Sequence, residues 1–311
     1  MDFPEENPQT MKIVFYGTPN IAVPFLETLY NDPEFEILAV VTKPDKPVGR
    51  KQEIQAPPVK EKAEELELKV LQPEKIDDDF VDMMRKFDAD FNVVIAYGQI
   101  MPTELLDMPT HRSVNVHFSL LPKYRGAAPV QTALFNGDKE TGITFMDMEE
   151  KLDAGGIYYI KKTPIEENEN AEMLLNRLSE VGAILIPSVL KDISDKVLSP
   201  IPQNEDEKSF CKKIIKKDAE FDPLKDDANE IMNKFRAFYP WPGLFFMYEG
   251  KRCKLLKMKM SGYDAKPGEL KELEGTLVLG TAHGSLKINE LQLEGKKPME
   301  DKDFINGFLL N

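Results

Sequence analysis

Residues 91–97 (FNVVIAY) are apolar along nearly their whole length, and helical patterns lie on both sides of them in the chain. A strand without a polar face has to be covered above and below, which a parallel sheet between two helical layers achieves. The neighbouring chain supplies both layers. Strand-like runs at 12–16 (KIVFY), 35–42 and 69–71 alternate with helical patterns at 21–30, 57–66 and 78–87. This alternation predicts an α/β fold with a doubly wound, mostly parallel, Rossmann-like sheet.

Beyond a long helix expected at 171–190, the stretch 198–208 (LSPIPQNEDEK) combines prolines with charge, which is linker composition. A helix at 228–238 and strand-like runs at 244–248, 253–260, 275–279 and 285–293, separated by glycine turns, predict a small β-barrel. The expected organisation is therefore a tail at 1–10, a catalytic domain at 11–197, a linker at 198–208 and a second domain at 209–311. A chain of 311 residues with 41% hydrophobic content is long enough to bury two such cores.

No stretch reads as an unbroken run of roughly 18 to 20 apolar residues. The first ten residues are acidic instead of basic then apolar, so a secretory signal and a membrane partner are not expected. The cytoplasm is the expected compartment, with Cys211 and Cys253 as reduced thiols and a monomer as the working expectation. His111, His117 and His283 form no ligand spacing with them, so no metal is expected. A net charge of -14 argues against a protein that coats nucleic acid. That charge is uneven, because residues 207–311 hold 19 Lys and Arg against 17 Asp and Glu.

The turn after the first strand, Gly17-Thr18-Pro19, carries one glycine where a dinucleotide fingerprint needs three, and no phosphate-binding P-loop occurs. More informative is 113–120 (SVNVHFSL), where Ser113, Asn115, His117 and Ser119 alternate with apolar residues and so share one strand face. Two readings stay open from alternation alone: a solvated edge strand, or a polar strand end opening into a cleft. The loop at 121–129 and the acidic turn Leu152-Asp153-Ala154-Gly155-Gly156 favour the cleft, since ligand sites prefer strand-end loops. A histidine that accepts a proton near neutral pH, an amide that stabilises oxyanion charge and a carboxylate that compensates imidazolium suit acyl transfer to an amine. Ser119 as a nucleophile lacks the G-x-S-x-G elbow.

The run NVHFSLLPKYRGAAPVQ at 115–131 resembles the signature of the methionyl-tRNA formyltransferase family. VTKPDKPVGR at 41–50, YPWPG at 239–243 and LEGKKPM at 293–299 continue the similarity over everything after the first ten residues. The resemblance implies a formyltransferase-type catalytic domain and a second, OB-like domain that holds tRNA. It implies transfer of the formyl group of the cosubstrate 10-formyltetrahydrofolate to the amino group of methionine on initiator methionyl-tRNA.

By the same resemblance, Asn115, His117 and Asp153 match the catalytic trio, and Ser119, Leu120, Leu121 and Pro122 match a folate-contacting stretch. Ile95, Ala96, Tyr97, Gly98, Gln99 and Ile100 match the lining of the pterin pocket. The segment 44–60 resembles an inserted loop that reaches toward the tRNA acceptor end, which makes Arg50 the tRNA-recognition candidate; a solvated loop arginine is the competing reading. Trp241 is read as a packing anchor in preference to a base-stacking platform. Lys257 and Lys259 fit either phosphate contacts or an ordinary solvated strand face. Two rival functions are a folate-dependent formyltransferase acting on a small amine and a noncatalytic tRNA-binding protein on the same fold.

Overall fold

The computed structural model describes residues 10–49 and 52–309. Arg50 and all but the last residue of the tail expected at 1–10 lie outside the described residues. In chain order the elements begin with β1 (Met11–Gly17), α1 (Val23–Asn31), β2 (Phe35–Val41), a hairpin of β3 (Lys46–Val48) and β4 (Glu53–Gln55), α2 (Pro58–Glu65), β5 (Val70–Leu71) and α3 (Asp78–Met84). Next come β6 (Phe91–Ile95), α4 (Thr103–Leu106), β7 (Ser113–His117), β8 (Arg125–Gly126), α5 (Pro129–Phe135), β9 (Glu140–Asp147), β10 (Ile157–Pro164) and α6 (Ala171–Ser194). The remainder holds β11 (Phe210–Cys211), α7 (Ala228–Ala237), β12 (Phe245–Tyr248), β13 (Lys251–Met260), β14 (Leu270–Leu273), β15 (Thr276–Gly280), β16 (Ser285–Leu293), β17 (Met299–Glu300) and α8 (Asp301–Phe304).

Two compact units form. The first comprises the chain through Gly126 together with Thr141–Thr163 and Leu175–Phe210; the second comprises Ala127–Glu140, Pro164–Leu174 and the chain from Cys211 onward. In the first, a seven-stranded sheet runs in the order β10-β9-β7-β6-β1-β2-β5. Strands β5, β2, β1, β6 and β7 are parallel, and β9 turns antiparallel on β7. This is the doubly wound sheet that the apolar runs demand. On one face Val14, Tyr16, Ala39, Val41 and Val94 pack with Phe80, Val81 and Met84 of α3 and with Leu105 and Leu106 of α4. Burying each such large apolar side chain contributes roughly 1.5 to 3 kcal/mol.

Strand boundaries differ from the sequence reading where the backbone turns. The run 91–97 stops being strand at Ile95, because Ala96 adopts a left-handed φ of 48°. Likewise β7 ends at His117, short of Ser119. Helix α6 is long and apolar enough to cross a membrane by length and composition. It is instead a core helix: Leu178, Ile186 and Leu190 are fully buried, and Gly182 lies so close to Phe25 of α1 that a Cβ would sit 2.6 Å from its ring. Residues 198–208 carry fixed contacts within the first unit, since Ile201 bridges Ile157 and Gln203 is buried.

The second unit is built on an antiparallel sheet ordered β12-β13-β16-β15-β14, with β17 added to β16. Among the described residues β12 and β14 end this order, so the expected OB-like barrel is a curled half-barrel. Cys253, Leu255 and Met258 of β13 face a core shared with Leu277 and Ile288, while Arg252, Lys257 and Lys259 are exposed. Helix α7 starts on a capping box, with Asp227 accepting from the Glu230 N–H and Glu230 accepting from the Asp227 N–H. It packs on α5, where the Phe135 and Phe238 rings lie 6.1 Å apart. Trp241 is 53% exposed, so it is not the packing anchor the sequence suggested. Its neighbours Pro240 and Pro242 cannot donate backbone hydrogen bonds, and the short turn holds the ring outside the sheet core.

Candidate active site

The chemistry-bearing residues gather at the carboxyl edge of the parallel sheet. Asn115 pairs in register with Val94 of β6 and Met146 of β9, and His117 with Thr144 of β9. Two residues apart, they share a face of β7. Ser113, on the same face but at the other end, is wholly buried: its hydroxyl donates to the Leu106 carbonyl at 2.8 Å and accepts from Asn92 at 3.1 Å. The polar alternation thus serves two purposes, a satisfied interior pair at one end and a half-buried Asn115 beside His117 at the other.

His117 is 6% exposed, and its Nε2 lies 3.0 Å from the Tyr124 carbonyl. A carbonyl only accepts, so Nε2 carries the proton and the neutral ring keeps its lone pair on Nδ1. Nδ1 faces Asp153 Oδ2 at 3.7 Å, within ion-pair range but longer than a direct hydrogen bond. The same oxygen accepts from the Gly126 N–H at 2.8 Å. Asp153 itself has a left-handed φ of 49°, which aspartate tolerates better than most residues. The turn after it requires glycine, since a Cβ on Gly155 would fall 2.0 Å from the Asp147 carbonyl oxygen.

Two further residues, absent from the sequence reading, hold these loops. Buried Arg125 donates from Nε and Nη2 to Gln203 Oε1 at 3.0 and 2.8 Å and from Nη2 to Glu205 Oε1 at 2.7 Å. Arg125 and Lys208 together hold the Glu205 carboxyl down at about 2. Gln203 in turn donates to the carbonyls of Asp153 and Gly155 at 2.9 and 2.8 Å. No local pattern marks such residues, because their partners are 48 to 80 positions away in the chain.

Of the expected folate contacts, Ser119 is fully buried and donates to the Lys123 carbonyl at 2.7 Å, inside its own turn. Thr144 ties this turn to β9 by donating to the Ser119 carbonyl at 2.7 Å and accepting from the Leu121 N–H at 3.2 Å. Leu121 is buried, whereas Leu120 and Pro122 are half-buried.

Ile95 ends β6 opposite Gly17 of β1. Here the strand order reverses, the place where open α/β sheets bind ligands. Ala96, Gly98 and Ile100 are exposed and Gln99 half-exposed, with Gln99 donating to the Pro73 carbonyl at 3.0 Å. Tyr97 turns inward, 5.5 Å from the Tyr16 ring, and burial pushes its hydroxyl up to about 12. Its carbonyl accepts from Thr18 at 2.9 Å. The segment therefore presents Ala96, Gly98 and Ile100 to solvent at the sheet's carboxyl edge, while the Tyr97 side chain is part of the core. Among the described residues no three His, Cys, Asp or Glu side chains are grouped to hold a metal ion.

A doubly wound sheet that brings an imidazole and a carboxylate together at its carboxyl edge, beside an amide on the same strand face, has the architecture of an α/β enzyme. Residues 11–190 match the family described as formyl transferase, and 213–309 match the formyl transferase C-terminal domain. A methionyl-tRNA formyltransferase of Caldicellulosiruptor saccharolyticus is 41% identical over 309 residues, covering 96% of this chain and 97% of its own. One from Thermodesulfovibrio yellowstonii is 41% identical over 300 residues, covering 96% of each. Among solved structures, the methionyl-tRNA formyltransferase of Clostridium thermocellum superposes with a TM-score of 0.58 at 16% identity, over 82% of this chain and 95% of that one, which speaks for the fold alone. The chain belongs to the methionyl-tRNA formyltransferase family.

Proposed function

We propose that this chain, acting as a cytoplasmic monomer, transfers the formyl group of 10-formyltetrahydrofolate to the α-amino group of methionine on initiator methionyl-tRNA. The domain at 11–197 carries the folate site and the chemistry, and the one at 209–311 contributes tRNA contacts, with Lys257 and Lys259 offered on an exposed strand face. Arg50, outside the described residues, is assigned to recognition of the tRNA acceptor end.

The observation that carries the mechanism is the single open ring nitrogen of His117 facing a carboxylate at 3.7 Å. As the amine nitrogen bonds to the formyl carbon, His117 takes a proton at Nδ1, and Asp153 Oδ2 compensates the imidazolium charge. Asn115 donates from its amide to the formyl oxygen as that oxygen gains negative charge. When the bond from the formyl carbon to the folate nitrogen breaks, His117 returns the proton to that nitrogen, so the pair ends unchanged. Exposed backbone at Ala96 and Gly98, with Ile100, Leu120 and Pro122, lines the folate side.

Full-length identity that includes the second unit favours tRNA over a small amine as acceptor. The test is formyl transfer from labelled donor to initiator methionyl-tRNA, elongator methionyl-tRNA and a nucleotide-linked amino sugar. Product with the initiator species alone is expected. Product with the amino sugar alone contradicts the assignment, and tRNA binding without product from any acceptor supports the noncatalytic rival.

A further inference from the structure

Gln203 is 9% exposed and makes four hydrogen bonds through one amide. Nε2 donates to the carbonyls of Asp153 and Gly155, and Oε1 accepts from two nitrogens of Arg125. The partners fix the orientation of the amide. A guanidinium only donates and a carbonyl only accepts, so a flipped amide would set like against like at all four contacts.

The residues it joins are the two walls of the His117 site. On one side is the turn that carries Asp153. On the other is Arg125, whose chain neighbours supply the Tyr124 carbonyl to His117 Nε2 and the Gly126 N–H to Asp153 Oδ2. Arg125 is further anchored through its own N–H, which donates to the Ser209 carbonyl at 2.9 Å. The His117–Asp153 spacing therefore depends on two backbone segments that are joined directly by the Gly126 N–H bond to Asp153 and bridged a second time, backbone to backbone, by the Gln203 side chain through Arg125. Asp153 holds a left-handed backbone conformation, so its turn needs outside contacts to keep one arrangement.

We propose that Gln203 is a positioning residue for formyl transfer: it touches no reacting atom and acts by holding Asp153 against His117 Nδ1. This rests on the assignment of His117 and Asp153 as the proton-handling pair. Losing its amide N–H bonds lets the Asp153 turn relax, and misplacement by about 1 Å in such a site costs on the order of 100-fold in rate.

Gln203→Glu is the informative variant. It keeps an oxygen acceptor for Arg125, and so keeps the buried guanidinium paired, but removes both donors to the Asp153 turn. Gln203→Leu removes all four bonds and serves as a second variant. Both are assayed in the full chain with initiator methionyl-tRNA, alone and combined with His117→Ala. For Gln203→Glu we expect kcat to fall by about 10- to 100-fold, with KM for both substrates changing less than about 2-fold. In the His117→Ala background the same substitution should cost less than about 3-fold, because nothing is left to position.

A Gln203→Glu enzyme with wild-type kcat overturns the proposal. So does a loss of equal size with and without His117, the result of a purely structural role. Near-wild-type activity of His117→Ala by itself is a different failure, that of the proton-handling assignment, and is read from the single variant before Gln203 is considered.

Discussion

At the residue scale, the proposed mechanism separates groups that react, Asn115 and His117, from groups that hold them, Arg125 and Gln203. Asn115 sits half-buried on the same face of β7 as His117, and the proposed mechanism has it donate to the formyl oxygen. Removing one such donor costs roughly 2.7 to 4 kcal/mol, or about 100- to 1,000-fold in kcat. Asn115→Ala should therefore lose activity in kcat with KM for tRNA preserved. Steady-state kinetics checks this, and a raised KM with intact kcat would make Asn115 a ground-state binding residue instead. The sequence pointed to Asn115, His117 and Asp153 by residue type and family resemblance, and the structure brings His117 and Asp153 together. Alternation extends the strand face to Ser119, which lies beyond the end of β7 with its hydroxyl bonded inside its own turn. It could not find Arg125 or Gln203, because Arg125 pairs with side chains 78 and 80 positions away and Gln203 with backbone carbonyls 48 and 50 positions away.

At the scale of elements, apolar runs reported strands faithfully where both faces are buried. They overran where a single left-handed residue ends the strand: β6 stops because Ala96 leaves the extended region, not because polarity changes. Strands β9 and β10, and the short helix α5, escaped notice. The first has a glycine near its start, where a Cβ would meet the Lys161 carbonyl oxygen at 2.3 Å, and a glycine there reads locally as a turn. In the second unit, the inward alternation of β13 puts Cys253 at full burial and pushes its thiol up to about 12. An exposed thiol with a pKa of about 8.5 is half ionised at that pH and alkylates readily. Iodoacetamide at a pH of about 8.5 should therefore leave Cys253 unmodified in the folded chain and label it after unfolding in guanidinium, as read by peptide mass spectrometry. Labelling of Cys253 in the folded chain would contradict the burial of the inner face of β13.

At the scale of the whole molecule, two compact units are not two consecutive stretches of sequence. The second unit includes Ala127–Glu140 and Pro164–Leu174, which precede residues 198–208 in the chain, so a composition-based boundary could not have located them. Helix α5 is the clearest case, since it packs on α7 nearly a hundred residues later. The stretch 115–131 that carries the family resemblance begins in β7 and ends within α5, so one continuous segment of chain contributes to both units. In the proposed mechanism His117, with its one open nitrogen beside Asp153, moves the proton during formyl transfer to initiator methionyl-tRNA. The most direct measurement is the single-turnover rate of that transfer for the wild type and for His117→Ala, with folate binding measured on the same preparations. A fall of about 100- to 10,000-fold with folate affinity unchanged is expected; a rate near that of the wild type at neutral pH would rule out His117 as the proton carrier.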